Sequence, residues 1–285
     1  MGFISDTVTP KIREIVTGDK PPLVPVVPLT GVIGNVGPMR KGLTLEGLAE
    51  ILERAFKIKR AEAVALVVNS PGGSPVQSAL IAKRIRALAE EHDKKVIAFC
   101  EDVAASGGYW LACAADEIVV DDNSIVGSIG VISSSLGFSE AIKKIGVTRR
   151  LHTAGDKKSF MDPFLPEKKA DVARLKEIQG DMHDSFQDYV RSRRGDRLKD
   201  NPDLFSGAFW TGRRAVELGL ADEIGEIRDT LRLRFGERVR MPVFKQKKGW
   251  FGRRFGAKSG PDTAVWADGL IAAVEERLIW DRYRF

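Results

Sequence analysis

Short apolar runs that alternate with amphipathic helical segments are the feature that most constrains this chain. A run such as Ala63–Val68 is too short for a buried helix, whereas the residues after Ser74 repeat their apolar side chains at helical spacing. This β-loop-α alternation predicts an α/β fold with a largely parallel sheet and right-handed crossover helices. The strands predicted in this part are Leu23–Leu29, Ala63–Val68, Val96–Cys100 and Glu117–Val120.

The segment from Lys95 to Asp116 contains the first candidate for chemistry. Its apolar run passes through two acidic residues to Ala-Ser-Gly-Gly, and an alanine-rich helix begins near Tyr109. Ser106 is therefore predicted where a strand passes to a helix, the arrangement that exposes the nucleophile of many hydrolases. The pattern is Ala-x-Ser-x-Gly and not Gly-x-Ser-x-Gly, so a close-packed turn without a catalytic role is the alternative.

A second candidate is the loop Asn69–Gly73, which follows the strand before it. Sites in parallel sheets form at the carboxyl ends of the strands, where both this loop and Ser106 are predicted. Gly72 and Gly73 allow close backbone approach and offer a free N–H, and Gly107 offers another at the start of a helix. Such N–H groups stabilise the oxyanion of acyl transfer. A plain strand-to-helix turn is the alternative.

A serine nucleophile needs a group that accepts its proton. His92 and His183 lie in charged helical segments and are predicted at the surface, and His152 ends a strand near a glycine loop. None has the setting of a Ser-His-Asp triad. A lysine can serve instead when burial disfavours its charged form. Lys157 and Lys158 lie in a loop before apolar residues, with two solvated charges as the alternative.

The composition is that of an ordinary soluble globular protein, with 43% hydrophobic and 29% charged residues. The net charge of +6 is spread along the chain without the motif of a nucleic-acid module, so no nucleic-acid partner is expected. Cys100 and Cys113 are predicted to be buried, and neither a metal site nor a cofactor is expected. We expect no transmembrane helix or signal peptide, and a cytoplasmic location with peripheral contact at the inner membrane as an alternative.

Three parts are predicted along the chain. Residues 1–22 form a leader with a short helix, residues 23–237 form the main domain, and residues 238–285 form a basic linker followed by an amphipathic helix. Within the main domain the patterns predict strands at 127–132 and 148–152 and helices at 139–145 and 166–194. A shorter helix is predicted within 209–220.

Five motifs stand together in one order. They are NSPGG (69–73), ASGGYWLACAAD (105–116), GSIGVI (127–132), AGDKKSFMDP (154–163) and TGRRAVELGLADEIG (211–225). With them the chain closely resembles the signal peptide peptidase A-type serine peptidases of peptidase family S49, over roughly residues 23–235. The resemblance implies the Clp-protease/crotonase superfold with helical extensions.

The resemblance also implies a site and a reaction. Ser106 matches the nucleophile, Lys158 the general base and Ser128 a serine that orients the lysine, while Gly73 and Gly107 match the oxyanion donors. The expected activity is a serine endopeptidase that cleaves signal-peptide remnants, other peptides or unfolded proteins through an acyl-enzyme. The expected assembly is a ring-like homo-oligomer in which Lys158 of one subunit reaches Ser106 of the next.

Two other functions remain open at this point. A crotonase-like enzyme acting on acyl-CoA would share the fold and the two oxyanion donors, but it would give no role to Ser106 or Lys158. A non-catalytic scaffold of the same superfold would not need either residue. Both residues are present in this chain.

Overall fold

The computed structural model describes residues 20–35, 42–245, 280, 281 and 283. The leader predicted over residues 1–22 and the helix predicted in the last part lie almost entirely outside this range. The described strands are β1 Val26–Thr30, β2 Ala63–Ser70, β3 Lys95–Ala105, β4 Glu117–Val120, β5 Ile125–Gly127, β6 Phe209–Thr211 and β7 Glu223–Ile224. The described helices are α1 Leu45–Phe56, α2 Pro75–Glu91, α3 Gly107–Ala112, α4 Ser139–Lys144, α5 Lys169–Arg194, α6 Gly212–Glu217 and α7 Ile227–Phe235.

The strands form one mainly parallel sheet in the order β1-β2-β3-β4-β7. β5 pairs in parallel with the end of β3, and β6 is antiparallel to β5. Both faces are covered: α1, α2, α3 and the second half of α5 pack on one face, and α7 packs on the other. This explains why β2 reads as an uninterrupted apolar run, since parallel strands are buried on both sides. The α/β fold predicted from the alternation is confirmed.

Hydroxyl side chains cap the first two described helices. The side chain of Thr44 accepts a hydrogen bond from the backbone N–H of Gly47 and caps α1. Ser74 caps α2 through the N–H of Gln77, and Pro75 occupies the first turn, where its missing N–H costs nothing.

β3 is longer than predicted and changes its partner half-way. Its first part pairs with β4, and after Glu101 and Asp102 its last three residues pair with β5. Register with β2 shifts at the same place, since Val68 is opposite Cys100 but Ser70 is opposite Ala104. The two acidic residues therefore lie in an irregularity within the strand and not in a turn that ends it.

The segment after β5 has less regular structure than predicted. The strand expected at 127–132 ends at Gly127, and no strand forms at 148–152. The linker expected from residue 238 begins differently as well. The N–H groups of Val24 and Val26 donate to the carbonyls of Arg240 and Pro242, so this part of the chain lies along β1.

No helix within the described ranges is long and apolar enough to cross a bilayer.

Candidate active site at the ends of β3 and β5

Ser106 lies on a sharp turn between β3 and α3. Its φ of 53° and ψ of −123° are unusual for a residue with a side chain. Such a conformation costs on the order of 1–3 kcal/mol and persists only where the surroundings enforce it. The backbone enforces it here: the N–H of Ser106 donates to Gly127, and its carbonyl accepts from Trp110 in the first turn of α3. Ser106 is half-buried, while its neighbours on both sides are buried.

Ser128 stands next to Ser106 because β3 and β5 are in parallel register. Ala105 is opposite Gly127, and each serine follows directly after its strand. Ser128 has the same left-handed backbone, with φ of 54°, and its N–H donates to the carbonyl of Ala208 at 2.7 Å. Two turns, each with a half-buried serine, are thus brought to one place at the carboxyl ends of the strands.

The loop after β2 supplies a backbone N–H beside this turn. The N–H of Ile33 donates to Gly72 and its carbonyl accepts from Ser74, both at 2.8 Å. In a parallel bridge of this kind, the N–H of the intervening Gly73 faces away from Ile33. Gly107 is the first residue of α3, and its N–H has no partner within the helix. No other described residue accepts a hydrogen bond from either N–H.

The approach of this loop to Ser106 requires glycine. A Cβ added to Gly72 would lie 2.7 Å from Cβ of Ser106 and 2.8 Å from the backbone nitrogen of Gly107. One added to Gly108 would lie 2.3 Å from the carbonyl oxygen of Ser70. Sequence reasoning assigned Gly73 to the site, and the structure shows that Gly72 is the residue in contact with the serine turn.

Lys158 lies in a separate part of the chain. Its side chain is exposed, and its backbone N–H closes a turn onto Gly155 at 3.2 Å. None of the hydrogen bonds among the described residues joins Lys158 to Ser106 or Ser128. The segment around Lys158 has internal packing contacts, since the centroids of the Phe138 and Phe164 rings lie 5.7 Å apart. The strand register and the glycine loops thus bring the two serines together, and none of the described hydrogen bonds links Lys158 to them.

Two known protein families match this chain over ranges that include the candidate site. Residues 89–235 match the family described as Peptidase family S49, a range that includes Ser106, Ser128 and Lys158. Residues 10–154 match the family described as ClpP-like SDH-type serine proteinase. The chain belongs to peptidase family S49. The resemblance identified from the five motifs is confirmed.

The relatives that this chain matches are longer proteins. The protein named Na(+)/H(+) antiporter NhaA of Brucella abortus is 52% identical over 269 residues, which are 91% of this chain and 36% of that protein. Protease 4 of Haemophilus influenzae is 35% identical over 65% of this chain and 30% of its own length. Serine protease SPPA, chloroplastic, of Arabidopsis thaliana is 30% identical over 69% of this chain and 29% of its own length. The chain spans about a third of the length of these relatives.

The histidines of this S49 chain do not reach Ser106 within the described part of the structure. His152 is exposed, and His92 ends α2 with its Nε2 3.8 Å from Glu91. His183 is less exposed than predicted, because its Nε2 lies 3.0 Å from the backbone oxygen of Ile129. It therefore holds the residue after Ser128 to α5. This contact joins positions 54 residues apart and has no signature in the local sequence.

The cysteines of the S49 domain are not alternative nucleophiles. Both are buried, as predicted, and neither forms a disulfide. Burial raises the pKa of the Cys113 thiol to about 11 and raises that of Cys100 as well, so both stay protonated near neutral pH.

The sequence also did not predict the contact made by the side-chain amide of Asn69. The side-chain nitrogen of Asn69, in the NSPGG motif, donates to Asp102 at 2.8 Å. This bond ties the end of β2 to the irregular part of β3. The role suggested by the motif alone was a turn, and the structure adds a link between the two strands that frame Ser106.

Proposed function

We propose that this chain is a serine endopeptidase with a Ser106–Lys158 dyad. The observation that carries the proposal is the left-handed turn at Ser106, which lies beside Ser128 and beside the N–H groups of Gly73 and Gly107, neither of which has an acceptor among the described residues. Membership of family S49 supports the same reaction class.

In the proposed reaction Oγ of Ser106 attacks the peptide carbonyl while Nζ of neutral Lys158 accepts its proton. The N–H groups of Gly73 and Gly107 stabilise the oxyanion of the tetrahedral intermediate. Collapse of the intermediate breaks the C–N bond, and the protonated lysine gives its proton to the leaving amine. Lys158 then deprotonates a water molecule that attacks the acyl-enzyme, and the protonated lysine returns this proton to Oγ of Ser106 as the acid is released.

We propose that Lys158 comes from a second copy of the chain in a ring-like homo-oligomer. The support is the exposed position of Lys158 and the exposed apolar side chains in the segment that carries it. Ile132, Leu136 and Ile145 are 66%, 72% and 73% exposed, and no residue of α4 is buried. A second copy that covers this surface would exclude water from the lysine and from the serine that it reaches.

The proposed substrates are signal-peptide remnants, other peptides and unfolded proteins. An extended chain can enter a site at the open end of a sheet, whereas a folded protein cannot present its backbone there. The names of the Haemophilus and Arabidopsis relatives, a protease and a serine protease, agree with this class.

The two rival functions make different demands on the same site. An acyl-CoA enzyme would use the glycine N–H groups but would be insensitive to the loss of Ser106. A scaffold would be insensitive to the loss of either dyad residue. Serine-directed labelling that requires Ser106 therefore separates the peptidase from both.

The deciding experiment measures cleavage of an unfolded protein by wild type, Ser106→Ala, Lys158→Ala and Lys157→Ala side by side. We expect wild type and Lys157→Ala to cleave, and the other two to lose at least about a thousandfold in rate. Equal cleavage by all four proteins would end the dyad mechanism. Loss in Lys157→Ala with retention in Lys158→Ala would move the base by one residue.

Complementation tests the shared site. Mixed oligomers of Ser106→Ala and Lys158→Ala subunits contain some pairs with both wild-type groups, so part of the activity should return. A verified mixed oligomer without activity would restrict the dyad to a single chain.

A further inference from the structure

We propose that Tyr283 is a positioning residue that fixes the hydroxyl of Ser128 for its contact with the lysine. The two side-chain oxygens lie 3.1 Å apart, and Tyr283 is only 8% exposed. The inference rests on the proposed dyad. Tyr283 lies outside both ranges that match known families, so family membership assigns it no role.

The tyrosine is held by packing on the strand that leads to the nucleophile. Its ring clusters with Val103 and Ala105 of β3, and it meets the ring of Phe209 edge-on at 5.4 Å. Its N–H donates to the carbonyl of Trp280, which also borders this cluster. Because β3 side chains alternate between faces, Tyr283 lies on the face opposite to Ala104 and the helices around Ser106.

The hydrogen-bonding capacity of Ser128 allows both contacts at once. A serine oxygen has two lone pairs and one hydrogen. The phenol of Tyr283 donates into one lone pair, and the other remains open to an N–H of Lys158. Tyr283 therefore restricts the rotation of the Ser128 hydroxyl without occupying the place of the lysine.

The main chain around Ser128 is fixed by contacts that do not involve its side chain. Its left-handed turn is held by the carbonyl of Ala208, and the next residue, Ile129, is held by His183. These contacts fix the main chain only. Among the described residues, Tyr283 is the group that bonds the Ser128 side chain.

The test compares Tyr283→Phe with Tyr189→Phe. Each substitution removes one phenol oxygen and keeps the ring. The hydroxyl of Tyr189 has no hydrogen-bond partner among the described residues, and its ring stacks on Trp110. We expect Tyr283→Phe to lower kcat by about three- to tenfold at unchanged KM. Tyr189→Phe should leave kcat unchanged.

A double-mutant cycle with Ser128→Ala separates positioning from general support of the fold. If Tyr283 acts through Ser128, Tyr283→Phe should have no further effect on kcat in the Ser128→Ala background. The same fold-loss in both backgrounds would overturn the inference, as would full activity of Tyr283→Phe. A rise in kcat would also overturn it, because it would mean that the tyrosine obstructs the site.

Ser106→Ala is assayed in parallel, so that failure of the proposed dyad can be distinguished from failure of the proposed role of Tyr283. Wild-type activity equal to that of Ser106→Ala removes the dyad, and this inference falls with it. Wild-type activity well above Ser106→Ala, together with an unchanged Tyr283→Phe, removes the role of Tyr283 alone.

Discussion

Ser106 and Ser128 share a backbone conformation that residues with side chains rarely adopt, and both stand at the same edge of the sheet. Their φ values of 53° and 54° are enforced by neighbours in different elements. Both conformations depend on contacts between elements, because the N–H of Ser106 donates to Gly127 and that of Ser128 donates to Ala208. The reactive geometry of a single residue therefore depends on the register of β3 with β5.

Gly72→Ala should damage the site more than its positive φ alone explains. The new Cβ would collide with Ser106 and with the backbone of Gly107, so the serine turn must move. We expect a loss of about 2–4 kcal/mol in the free energy of unfolding and at least a tenfold fall in peptidase rate.

Gly31→Ala is the matched control for this substitution. Gly31 has a similar φ of 111°, but a Cβ there would meet no atom within 4 Å. It should cost only about 1 kcal/mol of backbone strain and leave the rate unchanged. Denaturant midpoints and rates measured on both variants check this, and equal losses in the two would show that φ strain alone matters.

The local structure around a residue could be predicted where its sequence neighbours define it. Ser106 lies in a strand-turn-helix pattern, and Pro75 marks the first turn of a helix. His183 and Tyr283 form hydrogen bonds to residues 54 and 155 positions away in the sequence, and no periodic pattern predicts such contacts. The sequence marks Gly72 and Gly73 only as a pair. The structure distinguishes them, because Gly72 packs against Ser106 and Gly107 whereas Gly73 packs against Ile33.

At the scale of elements, buried strands were predicted well from the sequence, whereas exposed segments were not. β2 and β4 have apolar neighbours on both sides, so the sequence alone marks them. The strand expected at 148–152 lies in an exposed segment without a pairing strand. Helix α5 divides in the same way: Phe186 and Val190 are buried, whereas Met182, one turn before Phe186, is exposed.

The second half of α5 is fixed to the sheet by a buried ion pair, and its loss should be costly. Arg194 is 2% exposed and makes two hydrogen bonds of 2.9 Å to the carboxylate of Asp222, which also accepts from the N–H of Ile118. We expect Arg194→Met to lower the free energy of unfolding by about 3–5 kcal/mol, because the carboxylate of Asp222 loses its two shorter bonds and keeps only the more exposed Arg197 as a charged partner, at 3.3 Å. Arg174→Met, in an exposed pair on the same helix, should cost less than about 1 kcal/mol.

The same pair gives a pH dependence with a defined sign. Burial alone would raise the pKa of Asp222, but the hydrogen bonds and charge of Arg194 outweigh burial and hold the pKa below its usual range. A carboxylate with a lowered pKa contributes stability above its unfolded pKa of roughly 3.9 and loses it as the pH falls further. The difference in urea midpoint between wild type and Arg194→Met should therefore shrink between pH 7 and about pH 3. A difference that stays constant would contradict this assignment.

At the scale of the whole molecule, the described chain combines a well-packed core with a segment that is largely exposed. The sheet and the second half of α5 are well packed, but the segment that carries Lys158 exposes Leu136, Ile145 and other apolar side chains. Exposed apolar surface of this kind marks interaction sites more often than chance. The proposed oligomer would cover this surface and complete the dyad in one step.

Leu136→Asp and Ile145→Asp should therefore separate assembly from folding. Neither side chain belongs to the core, so the thermal midpoint of the isolated subunit should change little. A buried charge at a subunit contact is costly, so sedimentation should show smaller species and the peptidase rate should fall in parallel. Leu233→Asp, at an apolar residue of α7 that is 88% exposed and outside this segment, should change neither property. Full activity in a dissociated Ile145→Asp protein would mean that one chain completes the dyad by itself, whereas an intact oligomer would place the subunit contact on another surface.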